Sequence, residues 1–576
     1  MLRPMANAFA VSDPDPGFLD PMEERLATSG EFELVWRPAP GWVVAQAQLP
    51  DSAPDPDAAR ARGLAFVEGR DRLERGRDLD WLDRVAELCD RAPHRLAELP
   101  GDFAFVRFRP DGTALAVRSC AGLVPLYLHR RDGGGFALGT LLNYFPRLLP
   151  ARFLPDPLIN ASWDRTPLIF IDGRTFVEGI SILPRGSHTE LRPNRSPRTG
   201  SYWDPRPAAG AKPEASPEHP RELRRLLLES LSRNLDPQGR NLLMLSGGVD
   251  SSSLGALAAG TVGVGLSSWS MLPASEPALS RELSYIDPLT SAFGIQPAHK
   301  RELSEEAHRR WIKRAPGLPF QVLHPALCDL PDVCAEQEVR VLMSGMFADE
   351  VCGERQRIND WVLHTTLRSL LFDRPLPWGR TDFLRWARRR LQEAIGRPRI
   401  PAMALPEWAR PDVRAAYRDW VRSHRASLAR DHRPLRELAA RASADAWVAM
   451  YWEGTAALGV RPLLPFFNRE VLELAFQCHP SELLGPGPKQ LLRRALRNDV
   501  PARNLQRPGR DQWGGHFVDG RWIMDGALPA AAGRLVRSDW MPLPPGELPW
   551  NDGKLLVYAT RIAEYLERQA SPNPGN

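Results

Sequence analysis

Residues 241–255 read NLLMLSGGVDSSSLG. The apolar run from Leu242 to Leu245, with no polar alternation, predicts a strand buried on both faces. Two glycines follow at once, and then a small-residue segment that predicts a helix. GVGLSSWSM, ending at Met271, predicts the next strand, and upstream Leu223, Leu226, Leu227 and Leu231 recur at helical spacing. Strand, glycine turn, helix and strand in that order open a doubly wound α/β domain.

The position of Ser246-Gly247-Gly248-Val249-Asp250-Ser251-Ser252 between strand and helix gives the segment its chemistry. Glycines let backbone approach a phosphate closely, serine hydroxyls and the N–H groups at a helix start offer donors, and the helix dipole favours negative charge. No GxxxxGK[ST] occurs, so this is not the common P-loop. Asp250 inside an anion cradle repels phosphate unless a cation intervenes, which implies Mg²⁺ between its carboxylate and phosphate oxygens. A tight turn with a Ser/Asp helix cap is the simpler alternative. The whole heptad in this context favours the anion site.

At 576 residues the chain has room for two to four domains with real cores. Hydrophobic residues at 43%, charged residues at 25% and a mean hydropathy of −0.34 match an ordinary globular protein. No apolar run reaches the ~18 residues that cross a bilayer, and the first residues lack the apolar core of a signal peptide, so no membrane span and a cytoplasmic location are expected. A net charge of +5 does not call for nucleic acid. Six cysteines without a CxxC pair fit neither a disulfide framework nor a zinc ribbon, and Cys328, Cys334 and Cys352 read as buried thiols. Lysine supplies five of the 75 basic residues, so each one retained is informative.

Residues 31–204 predict short strands (FELVW, GWVVAQAQL, DFAFVRF, ALAVRS, LVPLYLHR, GGFALGT) interrupted by helix over Leu79 to Leu99. The Pro/Ala-rich stretch that follows reads as a linker. The expected division is a domain over 1–205, a linker over 206–218 and a second domain over 219–576. RTDFLRWARRRLQEA and PKQLLRRALRN predict helices, and the basic run at 385–399 reads as a solvated helix face.

The heptad resembles the pyrophosphate-binding loop of the N-type ATP pyrophosphatases, which cleave ATP between the α and β phosphates to adenylate a substrate. SGMFADEVCGE at 344–354 resembles a segment of asparagine synthetases and matches it at Ser344, Gly345, Asp349 and Glu350. That resemblance implies a second carboxylate for the magnesium. GVRPLLPFFNREVLELA at 459–475 resembles another family stretch at Arg461, Pro465 and Phe466 or Phe467. PKQLLRRALRNDVP sets Lys489 on the family lysine that stabilises the adenylated intermediate, where a compact ammonium is not interchangeable with guanidinium. PGDFAFVRFRPDGTALAVRSCAGLVPLYLH and GSYWDP resemble the class II glutaminase domain that precedes the synthetase domain. The resemblance thus implies an α/β chain: a glutaminase-like α+β domain, then a doubly wound ATP-pyrophosphatase domain of the adenine nucleotide α-hydrolase type with a helical C-terminal part. It implies ATP and Mg²⁺ as cofactors, Asp250 and Asp349 as metal ligands, and Lys489, Asp250, Asp349 and Glu350 as catalytic residues. Nucleotide would be held by Leu245, Ser246, Gly247, Gly248, Asp250, Ser251, Ser252, Met271, Ser344, Gly345 and Lys489.

Two departures refine the expectation. Class II glutaminases use a cysteine at mature position 1, but this sequence opens Met1-Leu2 and its first cysteine is Cys89, so no glutaminase activity is expected. The attacking amine would then belong to the substrate, as in lasso-peptide cyclases and β-lactam synthetases. Met346 stands where asparagine synthetases carry an acidic residue and β-lactam synthetases a tyrosine. It can handle no proton; Glu350, Glu354, His324 and Glu453 are candidate replacements. The favoured expectation is a macrolactam synthetase acting on a precursor peptide, with a leader peptidase as partner. A β-lactam or ammonia-dependent asparagine synthetase and an inactive nucleotide-binding scaffold are the alternatives.

Overall fold

The computed structural model describes most of residues 8–149, 173–302, 330–353 and 448–507, with a few residues between 410 and 419. The basic run at 385–399, the helix expected over 380–394, most of the linker, and Cys328, His324 and Glu354 lie outside the described residues.

The first half supplies β1 (Ala8–Ser12), β2 (Leu34–Trp36), β3 (Trp42–Gln46), β4 (Leu64–Glu68), β5 (Ala104–Phe108), β6 (Ala114–Arg118), β7 (Tyr127–Arg130), β8 (Phe136–Gly139), β9 (Ile180–Ile182), β10 (Ser187–Leu191) and β11 (Arg198–Ser201). They form two antiparallel sheets, ordered β2-β3-β1-β8-β7-β9 and β11-β10-β6-β5-β4. Period-two alternation divides β5 between two cores. Ala104, Val106 and Phe108 join the core shared with β1, β3 and β8, while Phe105 faces Trp81, Leu82, Val85 and Leu88 of the helix Asp78–Arg91. Burying each of those four side chains contributes about 1.5–3 kcal/mol. The sequence reading began the strands at residue 31, yet β1 is interior to its sheet, between β3 and β8. Burial on both faces removes the alternation that would have flagged AFAVS. The helix expected to run to Leu99 ends at Arg91, because Pro93 forces Ala92 out of helical geometry and begins a separate 3₁₀ turn.

The second half is built on one parallel sheet of β12 (Asn241–Met244), β13 (Ser267–Leu272), β14 (Gln296–Glu302), β15 (Val341–Met343) and β16 (Arg461–Leu463), in the order β14-β13-β12-β15-β16. The chain is therefore mixed α/β. Its strand order turns back between β12 and β15, and the crevice at the carboxyl ends of such neighbouring strands is where open α/β sheets bind ligands. The two halves meet through specific polar contacts: Leu142 N–H donates to Glu453 Oε1 at 2.5 Å, and Trp203 Nε1 donates to Glu473 Oε1 at 2.8 Å.

Candidate active site

Beyond Met244 the Leu245 N–H still pairs with the Trp269 carbonyl of β13, at 2.8 Å, and then the chain turns. Gly247 adopts φ +66°, a left-handed conformation suited to glycine, and Gly248 is the extended cap of the helix Val249–Gly255. The helix continues as wider π turns over Ala256–Val262. Ser246 N–H donates to Ser251 Oγ at 3.1 Å, and Gly248 N–H reaches Ser246 Oγ at 3.4 Å. Ser252 is fully buried, its Oγ accepting from Asn504 Nδ2 at 3.1 Å. Ser251 and Ser252 thus both make hydrogen bonds that tie the loop together. Met271 lies on β13, as expected, with its backbone paired to β14.

The second loop leaves β15 beside the first. Ser344 N–H donates to Leu463 O at 3.1 Å, and Ser344 Oγ lies 3.1 Å from the Tyr451 hydroxyl. A Cβ on Gly345 would stand 2.9 Å from Asp250 Cβ and 3.1 Å from Ser251 N, so only glycine lets the two loops touch this closely. Phe347 then takes φ +68°, costly for a bulky residue, and starts the short helix Ala348–Cys352 that carries Asp349. Its ring stacks on Phe467, with centroids 4.0 Å apart, which holds the strained position in place.

Lys489 arrives from a third segment, also left-handed at φ +58°, with its N–H donating to Gly353 O at 2.7 Å. Its ammonium bridges Asp250 and Asp349. Burial works to lower its pKa, but the two carboxylates outweigh that and hold it above the ordinary lysine value. Two of the four described non-glycine residues with positive φ therefore flank one cation-binding point. A pair of carboxylates converging on a single cation is a hard-oxygen donor set of the kind Mg²⁺ takes together with substrate phosphates. Glu350 shares the helix of Asp349, but its side chain lies outside the described residues.

Glu453, weighed as a replacement base, is turned elsewhere. It is buried against the N-terminal half, where burial pushes its carboxyl up to about 8 while the Leu142 N–H and the Tyr127 side chain act in the opposite sense. Sequence reasoning missed Tyr451 beside Ser344. It also missed Asn504, Arg507 and Glu282 behind the first loop; nothing local marks them among so many arginines.

The family described as asparagine synthase matches residues 222–573, more than half of the chain. The chain belongs to the asparagine synthase family. The family comprises ATP-dependent ligases that form amide bonds, and its members use ATP. Among curated proteins, the chain is similar to amidase chyE of Penicillium rubens, 27% identical over 167 residues that make up 28% of this chain and 24% of that protein. It is similar also to amidase chry2 of Gibberella zeae, 28% identical over 165 residues, again 28% and 24%. The chain thus spans about a quarter of the length of these curated relatives. The family match begins at residue 222, inside the helix His219–Asn234 that precedes β12. Among the described residues no helix is long and apolar enough to cross a membrane.

Proposed function

We propose that this protein is an AMP-forming ligase that closes a macrolactam in a ribosomally made precursor peptide, as in lasso-peptide biosynthesis. A peptide Asp or Glu side-chain oxygen attacks the α-phosphorus of ATP and pyrophosphate leaves. The peptide's N-terminal amine then attacks the acyl carbon, losing a proton as AMP departs. The observation that carries the adenylating part is the convergence of Asp250, Asp349 and Lys489 at the strand-order turn between β12 and β15. Asp250 and Asp349 would hold Mg²⁺, which when bound neutralises phosphate oxygens. The loop from Leu245 to Ser252, with Ser344 and Gly345, would hold the nucleotide, and Lys489 would stabilise the charge that develops on phosphate. Holding amine and activated carboxyl in one peptide makes the second step effectively unimolecular.

In this reading residues 1–205 form a degenerate glutaminase-like domain, 206–218 a linker and 219–576 the synthetase domain. Support for a substrate-borne amine comes from Cys89 and Cys120, the described cysteines of the first half. Both are buried with their thiols pushed up, Cys89 to about 12, chiefly by burial, so neither offers a thiolate. A leader peptidase would deliver the trimmed peptide. Tyr451 favours a second reading, a β-lactam or ammonia-dependent asparagine synthetase, because it brings a phenol to Ser344, two residues before Met346.

The test is incubation with Mg-ATP and the leaderless short peptide encoded beside the protein, following peptide mass, AMP and pyrophosphate. Loss of one water with stoichiometric AMP and pyrophosphate is expected. An unchanged peptide, with AMP appearing only on addition of aspartate or a small β-amino acid, would replace this reading with the second.

A further inference from the structure

Behind the Ser246–Ser252 loop stands a group of buried polar side chains that the proposed chemistry does not use. Arg507, 4% exposed, donates from Nη1 to Ser246 O at 3.1 Å and from Nη2 to Glu282 Oε1 at 2.5 Å, with its guanidinium 4.3 Å from the Tyr285 ring centroid. Asn504, 1% exposed, directs Nδ2 at Gly247 O, Ser252 Oγ and Tyr285 O, at 3.3, 3.1 and 3.0 Å. Arg493 in turn donates to the Arg507 carbonyl at 3.0 Å. Glu282 and Tyr285 belong to the helix Ala278–Phe293, and Asn504 to the short helix Ala502–Leu505.

We infer that Asn504 and Arg507, braced by Glu282, are positioning residues that set the peptide planes of the Ser246–Gly248 loop for anion binding. The inference rests on the proposed nucleotide role of that loop. A trans peptide directs a carbonyl and the next N–H to opposite sides. With the Ser246 and Gly247 carbonyls drawn back to Arg507 and Asn504, the Gly247 and Gly248 N–H groups turn away from the clamp, the Gly248 N–H meeting only Ser246 Oγ, at a long 3.4 Å, among the described residues. The clamp leaves no slack: a Cβ on Gly247 would stand 2.8 Å from Tyr285 Cβ and 3.1 Å from Arg507 Nη1. Glu282 compensates the guanidinium charge, so Arg507 stays on the carbonyl side and is not drawn out toward a bound anion. Two segments far apart in sequence thereby fix the orientation of two peptide units, which the glycines alone leave free.

The experiment measures binding of Mg-ATP, magnesium pyrophosphate and adenosine to the full chain by equilibrium dialysis, with thermal melting alongside. Asn504→Asp replaces the donor by an isosteric acceptor; Arg507→Lys keeps the charge paired with Glu282 but loses the planar fork. Each is expected to weaken Mg-ATP and pyrophosphate by about tenfold while adenosine stays within about twofold, since the hydrogen bond that orients a loop carbonyl is lost only at the phosphate loop. Asn504→Ala serves should Asn504→Asp fail to fold. Unchanged pyrophosphate affinity in folded variants, or an equal loss for adenosine and pyrophosphate, would overturn the clamp. Wild-type protein that binds none of the phosphate ligands would overturn the proposed function itself, and the clamp with it.

Discussion

Lys489→Met removes the ammonium that bridges Asp250 and Asp349. Breaking a buried ion pair by deleting one partner costs about 3–5 kcal/mol. Lys489 is 13% exposed, but Asp250 is 23% and Asp349 40%, so solvent screening reduces the expected loss to ~2 kcal/mol. Urea denaturation in EDTA measures it. A divalent cation can then take the place of the ammonium, and Mg²⁺ at a hundredfold excess over its dissociation constant should restore ~2.7 kcal/mol to the variant. Wild type should gain less, because the cation must displace the ammonium. The raised lysine pKa means that the ammonium's contribution is complete below the ordinary lysine value of ~10.4 and is lost only as pH climbs through the folded-state value. The gap between wild type and variant should therefore stay level through neutral pH and close in alkali. A variant as stable as wild type in EDTA, and no more responsive to Mg²⁺, would refute the convergent cation site.

Three other outcomes are expected. Asp250→Asn should abolish formation of AMP and pyrophosphate, assayed by phosphate-coupled and chromatographic readouts; undiminished turnover would remove the metal assignment. Gly345→Ala should lower turnover at least tenfold, about 1.4 kcal/mol, because its Cβ meets Asp250 Cβ at 2.9 Å and pries the two loops apart; unaltered kinetics would show that the loops can separate without loss. Glu453 holds its carboxyl at about 8, above the unfolded value, so the stability it contributes is complete below about pH 4.5 and is lost as pH rises toward about 8. Glu453→Gln should flatten that slope, worth on the order of 5 kcal/mol across the window, in denaturation midpoints measured from acid to mildly alkaline pH; an unaltered slope would mean that another group titrates there.

Much of the site was readable because its parts are local. Gly247 and Gly248 between strand and helix announce a turn that backbone sterics demand, and Asp250 beside it calls for a cationic partner, met by the Lys489 ammonium. β12, β13 and the helix His219–Asn234 fall where apolar spacing predicts them. β1 escaped notice because a strand buried on both faces carries no alternation. The partner of Ser252 escaped for another reason: a serine at a helix start can serve the ligand or the loop, and Asn504, 252 residues on, takes up its hydroxyl. Glu453 looked like an acid near the chemistry, two residues from Tyr451. Helical geometry sends such neighbours in different directions, Tyr451 to Ser344 and Glu453 to Leu142.

By itself the sequence determined most element types, the glycine turn between strand and helix and the kinds of residue, carboxylates and a lysine, available to the site, since periodicity, turn sterics and side-chain chemistry act over a few residues. Only the tertiary structure decided that Asp250 and Lys489, 239 residues apart, share one ion pair with Asp349, and that Asn504 and Arg507 back the loop. Those meetings follow from strand order in the parallel sheet, with β15 docked beside β12. That order is set by the burial of whole sheet faces, a property no short stretch of chain possesses.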